Sequence, residues 1–220
     1  MTAVSIATSA AAVTALAAQE PLLGSLPIRL GVEVGANFAH VSGSTVSDIS
    51  NRTGVLAGGT IEVGLANGWS VESGVQYSMK GWRRIDPQSN DRADVNIDYI
   101  EVPVQLRYEI RNTSRFTPYL SGGAGVSFRS TCTIGLTDGA TGASSSTSCS
   151  DAARLSGGTF EFGPTDVGVL VGAGALIRAG AAAAQLGVRY EHGLLAEQQR
   201  TDIKGRLVSL TAGVSWPLGF

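Results

Sequence analysis

Two cysteines and a set of charged side chains are the residues of this 220-residue chain that could do chemistry. Cys132 and Cys149 lie in a Gly-, Ser- and Thr-rich stretch, STCTIGLTDGATGASSSTSCSD. In an exported chain, an even cysteine count indicates a disulfide, and the alternative is two unpaired thiols. Two cysteines without a neighbouring histidine do not supply the four ligands of a structural zinc site. We therefore predict a disulfide, no metal site and no cofactor.

Eleven of the charged residues share one pattern, because they lie on the small, polar side of segments in which apolar and polar residues alternate. Six Glu, four Arg and one Lys are close to balance. A charge buried without a partner is strongly destabilising, so we expect these groups to pair and fill an interior lumen rather than act in catalysis. The predicted network contains Glu33, Glu62, Glu72, Lys80, Glu101, Arg107, Glu109, Arg129, Arg178, Arg189 and Glu191.

The two histidines, His40 and His192, are the candidates for a lipid-modifying enzyme such as a deacylase. That chemistry needs a nucleophile, a base and an orienting carboxylate within reach of one another. Glu191 is adjacent to His192 in sequence, but neighbouring residues of a strand point to opposite faces. We predict that the protein is not an enzyme and has no catalytic residues, with the lipid-modifying enzyme kept as an alternative.

Eight segments with a period of two must position these side chains, and that period is typical of strands with one apolar face. Each is long enough to cross a bilayer at a tilt. Pro103 removes a backbone donor from the fourth segment, where we expect a bulge. The segments run over 28–40, 54–66, 69–83, 95–110, 116–129, 167–178, 182–194 and 204–220.

The connections between these segments alternate strictly in length. Short ones fall at Asn67-Gly68, 111–115 and 179–181, and Asn-Gly is the strongest short hairpin signal. Long ones fall at 41–53, 84–94, 130–166 and 195–203. Transmembrane barrels have tight periplasmic turns and longer outer loops. The pattern predicts an all-β, eight-stranded, antiparallel up-and-down transmembrane β-barrel with both termini in the periplasm.

The two faces of the segments indicate which side meets lipid. The polar face is mostly Gly, Ser and Ala, which suits the narrow interior of an eight-stranded barrel. The apolar face carries aromatic residues near the strand ends, as expected of an interfacial girdle. A soluble, lipocalin-like ligand-binding barrel would point its apolar face inward and is the alternative. The predicted girdle and C-terminal assembly signal comprise Phe38, Trp69, Tyr108, Phe128, Tyr190, Trp216 and Phe220.

The first residues resemble an export signal. An apolar run precedes Ala15-Leu16-Ala17, which fits cleavage after Ala17, although no Lys or Arg occurs before Arg29. We predict a signal peptide over 1–17 that is truncated at its start, and the alternative is a plain Ala-rich helix. An N-terminal periplasmic segment over 18–27 and a barrel domain over 28–220 follow. The net charge of −2 argues against nucleic-acid binding.

Several segments together resemble the PorT-like outer-membrane β-barrel family of Bacteroidetes and relatives, which is similar to small OmpA- and OmpX-like barrels. They are IRLGVEVGANFAH, WSVESGVQYSMKGWRR, IDYIEVPVQLRYEI, FTPYLSGGAGVSF and LVSLTAGVSWPLGF. The resemblance implies insertion by the barrel assembly machinery and contact with outer-membrane lipid. We expect a monomeric scaffold whose outer loops serve envelope integrity, adhesion or secretion, with an unidentified protein partner at those loops.

Overall fold

The computed structural model describes residues 26–42, 49–50, 52–110, 115–155, 163–195 and 204–218. These residues form ten strands and one short helix. No helix among them is long and apolar enough to cross a membrane. The elements are β1 Ile28–Ser42, β2 Ile49–Ser50, β3 Arg52–Gly64, β4 Trp69–Ile85, β5 Arg92–Glu109, β6 Phe116–Thr137, β7 Ser144–Ser148, α1 Cys149–Leu155, β8 Thr165–Ala179, β9 Ala182–Gly193 and β10 Lys204–Pro217.

Eight of the described strands close into one antiparallel barrel. Their order is β4-β3-β1-β10-β9-β8-β6-β5, and β5 pairs with β4 to complete the ring. The first and last strands pair over their length, from Arg29 opposite Pro217 to Ser42 opposite Lys204. Two short strands lie outside the ring, where β2 pairs with β4 and β7 pairs with β6. The predicted fold class is confirmed.

The two ends of the barrel differ in their connections. At the turn end, β3 and β4 join through Asn67 and Gly68, whose φ values of 60° and 86° fit the tight hairpin that Asn-Gly favours. Gly180, with φ 62°, makes the equivalent turn between β8 and β9. We call the opposite end, where the longer connections lie, the loop end.

Three strands continue past the rest of the barrel at the loop end. β6 extends to Thr137, and β5 pairs with it from Arg92 onward. The predicted outer loop over 130–166 is therefore wrong in part, because it contains the end of β6, the hairpin to β7 and α1. We call residues 81–85, 92–98 and 131–137, together with β7 and α1, the extension.

The irregularity expected at Pro103 is not a bulge. Ser73 pairs with Val104 and Gln76 with Glu101, so the register between β4 and β5 is the same on both sides of the proline. The Ser73 hydroxyl donates to the Pro103 carbonyl oxygen over 2.9 Å. The real shift lies at Asp98/Tyr99 in the pairing with β6, where the extension begins.

Within the barrel, apolar side chains face outward and polar ones inward. Val34, in the middle of β1, is 59% exposed, whereas the Glu101 side chain inside is fully covered. Leu170 and Leu176, which interrupt the small polar face of β8, are also buried inside. This polarity is the reverse of a soluble ligand-binding barrel, so the lipocalin-like alternative is wrong.

Polarity inverts in the extension. Val95, Ile97 and Ile134 are buried on its inner face. Its outer face carries the Arg83–Asp94 ion pair, with 2.5 Å between Nε and Oδ1, and a hydrogen bond from Thr131 to Asp98. A face with exposed ion pairs suits water rather than hydrocarbon. The inversion thus marks where the lipid-facing wall ends.

Candidate functional site

The lumen contains two ion-pair clusters, and the first lies toward the turn end. Arg107 of β5 reaches Glu72 over 2.6 Å and Glu62 over 3.3 Å. Its guanidinium lies 4.3 Å from the centroid of the Tyr119 ring. A planar guanidinium can bind two carboxylates and stack on an aromatic ring at once, which a lysine cannot do. We call these residues the turn-end cluster.

The second cluster lies toward the loop end and centres on Lys80 of β4. Its ammonium group is 2.6 Å from Glu191 and 3.2 Å from Glu101. Glu101 also lies 3.3 Å from Arg189. All four side chains are at most 7% exposed. We call them the loop-end cluster.

Two glutamines and Glu33 join the clusters into one network. Arg189 donates to Gln76 over 2.9 Å, and Gln76 donates to Glu33 over 3.0 Å. Gln185 donates to Glu33 over 3.3 Å and accepts from Arg107 over 3.4 Å. Polar side chains therefore run continuously from one cluster to the other.

The network leaves little open space where the two clusters meet. Between the clusters, Glu33, Glu72, Arg107 and Arg189 border a cavity of about 20 Å³. That is room for about one water molecule. The eight buried members of the network comprise five glutamates and three cations, so glutamates outnumber cations by two.

Three predicted lumen charges lie nearer the rims. Glu109 and Arg178 pair with each other at the turn end, where Arg178 also donates to Thr117 over 2.7 Å. Arg129 is half-buried where the extension begins, opposite Tyr99. Eight of the eleven predicted charges are thus brought together inside, and these three flank them.

The predicted aromatic girdle faces outward, as expected. Trp69 and Tyr108 pack together with ring centroids 4.8 Å apart. Phe220 lies outside the described residues. The other exposed members are Phe38, Phe128, Tyr190 and Trp216.

The extension has a small apolar core that is joined to the predicted disulfide. Cys132 of β6 and Cys149, the first residue of α1, are bonded, with 5.4 Å between their Cα atoms. Cys149 packs with Val95, Ile97, Tyr99 and Ile134. Trp82, Cys132 and Ala152 cover this cluster. The disulfide therefore attaches a helix to the inner face of the sheet.

Two aspartates hold the hairpin tips of the extension. Asp86 accepts the backbone N–H groups of Gln88 and Ser89, which lower its pKa. Asp138 accepts N–H groups from Thr141 and Ala140 and the Thr141 hydroxyl, and its pKa is lowered chiefly by the Thr141 N–H. Carboxylates that accept several N–H donors stay ionised more readily.

His192, the histidine whose side chain the structure describes, lies on the opposite face of β9 from Glu191. His192 contacts the Tyr190 hydroxyl at 3.4 Å, whereas Glu191 lies in the lumen. The side chain of His40 lies outside the described part of the chain. The predicted separation of His192 from Glu191 is confirmed.

Sequence reasoning missed the uncharged members of the lumen. Asn37 donates to Ser78 over 2.9 Å and accepts from Ser209 over 2.8 Å, all fully buried. Tyr119 lies against Gly174 and Gly187, where an added Cβ would be 2.5 Å from its hydroxyl. The sequence signal for these members was the presence of amide side chains, such as those of Gln76 and Gln185, at inward-facing positions of the alternating pattern.

The family of the chain follows from a match to a known domain. The outer membrane protein β-barrel domain matches residues 17–197. The chain belongs to this outer-membrane β-barrel family. It is a small eight-stranded barrel of the bacterial outer membrane, and its lipid-facing wall and charged interior agree with that setting. No curated protein matches the sequence.

Solved structures of other barrels have similar folds. OprG from Pseudomonas aeruginosa matches with a TM-score of 0.51 and 12% identity, covering 89% of this chain and 96% of OprG. Neisserial surface protein A matches with a TM-score of 0.45 and 16% identity, covering 86% and 97%. Ail of Yersinia pestis matches with a TM-score of 0.41 and 16% identity, covering 86% and 98%. The OprG match supports the fold alone.

Proposed function

We propose that the protein is a non-enzymatic scaffold that holds the extension at the cell surface, in envelope integrity, adhesion or secretion. The observation that carries this proposal is the extension itself. It stands beyond the inversion of polarity and has its own packed core and disulfide. A structured surface above a filled lumen suits display of a binding face to an unidentified protein partner.

The display role is tested by trimming the extension. A variant that joins residue 82 to residue 95 and residue 131 to residue 164 through short turns keeps every barrel strand. We expect it to retain the mobility difference between boiled and unboiled samples that marks a folded barrel. In a deletion strain it should fail to restore detergent resistance or surface attachment. Full restoration would contradict the scaffold role.

The orientation needs its own experiment. We propose that the turn end and both termini face the periplasm, because short turns do so in barrels of this kind. An epitope inserted at Gln88 should bind antibody on intact cells, whereas one inserted at Gly180 should bind only after permeabilisation. The opposite result would reverse the orientation.

The filled lumen supports a barrel without a wide pore. We expect no large steady conductance after reconstitution in planar bilayers, and such a conductance would contradict the proposal. The separation of His192 from Glu191 supports the absence of lipid hydrolysis. Lipid A from cells expressing the protein should be unchanged in mass, and a deacylated product would favour the enzyme.

We also propose three narrower assignments. The first is membership of the PorT-like group, which the segments that resemble it support. The second is cleavage after Ala17, which the Ala-Leu-Ala site supports. The third is a monomeric state, which the closed ring of strands supports. We expect outer-membrane lipid and the assembly machinery to be its partners. N-terminal sequencing of the mature protein and its mass in detergent test the second and third.

A further inference from the structure

On the β4–β6 side of the lumen, an apolar layer begins directly above the loop-end cluster. The Lys80 ammonium group lies 5.2 Å from the centroid of the Tyr99 ring. Ile97 and Val95 follow Tyr99 on the inner face of β5, and each is 1% exposed. Trp82 follows Lys80 on the inner face of β4 and packs against the same cluster. Apolar side chains thus separate the buried charges from the loop end.

Helix α1 covers this layer and follows directly from β7, whose last residue, Ser148, pairs with Thr133 of β6. It has seven residues, too few for a stable helix in isolation. Cys149 is 4% exposed within the apolar cluster, and Ala152 packs beside it. Ser148 accepts the N–H of Asp151 and caps the first turn. The pairing of β7 with β6 and the covalent bond between Cys149 and Cys132 together hold the start of α1 against the apolar cluster.

We propose that α1 is a redox-sensitive lid on the barrel, latched by the Cys132–Cys149 disulfide. While the latch is closed, the lid and the apolar layer keep water from Lys80, Glu101 and Glu191. Reduction by a thiol releases α1, loosens the layer and admits water and small solutes to the loop-end cluster. This lid operates whatever partner the extension binds.

The chemistry of release is ordinary thiol–disulfide exchange. A thiolate attacks one cysteine sulfur, the bond between the two cysteines breaks, and a mixed disulfide forms. A second thiolate attacks the mixed disulfide. The two cysteines gain two electrons and two protons, while two small thiols are oxidised to one disulfide. Exchange with a small disulfide runs the same two steps in reverse: the two cysteines are oxidised to their disulfide, the small disulfide is reduced to two thiols, and the latch closes again.

The chain offers a direct test because Lys80 and Lys204 are its only lysines. The folded barrel in detergent micelles is treated with a small amine-acylating reagent, before and after reduction with dithiothreitol, and each peptide is quantified by mass. We expect Lys80 acylation to rise about tenfold relative to Lys204 on reduction. Hydrogen exchange of the α1 amides should accelerate in the same samples.

The C132S/C149S double variant is the matched control. Its Lys80 should be acylated as in the reduced protein, and dithiothreitol should change nothing further. Trp82 gives a second readout in a W69F/W216F background, where reduction should shift its emission to longer wavelength. Heat-dependent gel mobility confirms that each variant is folded.

Three results would overturn the lid. Lys80 could be acylated to the same extent before reduction as after it. Lys80 and α1 could also both stay protected although both cysteine thiols are shown to be free. Alternatively, α1 exchange could accelerate while Lys80 remains protected, which would mean that the apolar layer seals the lumen without the helix. None of these results bears on surface display, which the trimmed variant tests separately.

Discussion

Three strands, β4, β5 and β6, run from the barrel wall into the extension, and their two faces exchange polarity between the two regions. In the wall, β4, β5 and β6 expose Val75, Val104 and Leu120 to lipid and bury charges inside. In the extension, the outer face carries Arg83 and Asp94, and the inner face is apolar. The register shift at Asp98/Tyr99 lies between the two regions. Either face of a β-strand can carry its apolar side chains. In the wall they lie on the face that meets lipid, and in the extension they lie on the face that meets the packed core.

The interiors of the two regions also differ. The lumen inside the barrel wall contains ion pairs, which need exact partners because an unpaired buried charge is costly. The extension is filled by aliphatic and aromatic side chains, which tolerate rearrangement when volume is conserved. We therefore expect substitutions in the lumen to lower the free energy of unfolding more than substitutions in the extension do.

Removing Arg107 should have the largest effect. The R107A variant leaves Glu62 and Glu72 buried without their cation, and we expect a loss of about 3–5 kcal/mol in the free energy of unfolding. Urea unfolding in micelles, followed by gel mobility, measures it. The R154A variant removes an exposed ion pair of the extension and should cost at most about 1 kcal/mol. Equal losses of unfolding free energy in R107A and R154A would contradict the expected difference between the lumen and the extension.

An added arginine should separate the two outer faces. V34R places a charge on the lipid-facing wall, and we expect a loss of about 2–4 kcal/mol. T133R places the same charge on the outer face of the extension, where we expect a change within about 0.5 kcal/mol. The same unfolding assay compares them. If T133R were as damaging as V34R, lipid would reach further along β6 than the inversion indicates.

Two glycine substitutions should distinguish close packing from backbone strain. At Gly174 an added Cβ would lie 2.3 Å from the Leu186 carbonyl oxygen, so G174A should destabilise the barrel by about 1–3 kcal/mol. At Gly142 the space is open but φ is +72°, so G142A should cost about 1 kcal/mol, confined to the hairpin tip. Limited proteolysis of the tip should detect G142A while barrel unfolding stays unchanged.

The smallest effect should be that acid loosens the hairpin tip that Asp138 holds. The lowered pKa of Asp138 means that its stabilising contribution is present above the ordinary aspartate pKa of about 3.9 and is lost as pH falls through the lower, folded-state value. Hydrogen exchange at residues 139–143 should be constant from neutral pH to about 5 after correction for intrinsic rates. At lower pH, exchange should rise as Asp138 is protonated. In D138N this rise should disappear. A midpoint near neutral pH would contradict the assignment.

The barrel was predictable because one rule covers it. Alternating parity placed Val34 outside and Glu33 inside, and Asn67-Gly68 supplied a hairpin whose positive φ values few other residues adopt. The strand ends were less predictable. Period two continues through Cys132 and Ile134 with reversed polarity, so the sequence around them resembles a loop rich in small residues. Nothing local distinguishes a strand that leaves the membrane from one that stops.

The contacts within the lumen were beyond sequence reasoning. Parity places Arg107, Glu62 and Glu72 inside, but their pairing depends on the stagger of three strands around the ring. Leu170 and Leu176 interrupt the polar face of β8, and only the structure shows that they fill interior space. Pro103 suggested a bulge because the missing N–H is visible in the sequence, whereas the Ser73 hydroxyl that donates to its carbonyl is visible only in space.

The pairing of β1 with β10 makes the barrel dependent on complete synthesis. Residues 28–42 find their second neighbour only in residues 204–217, so neither strand has both sides hydrogen-bonded until the last strand has been made. Any product that stops before β10 leaves the edges of β1 and β9 unpaired, and hydrocarbon cannot satisfy them. We expect such truncated chains to aggregate or be degraded rather than insert as smaller barrels.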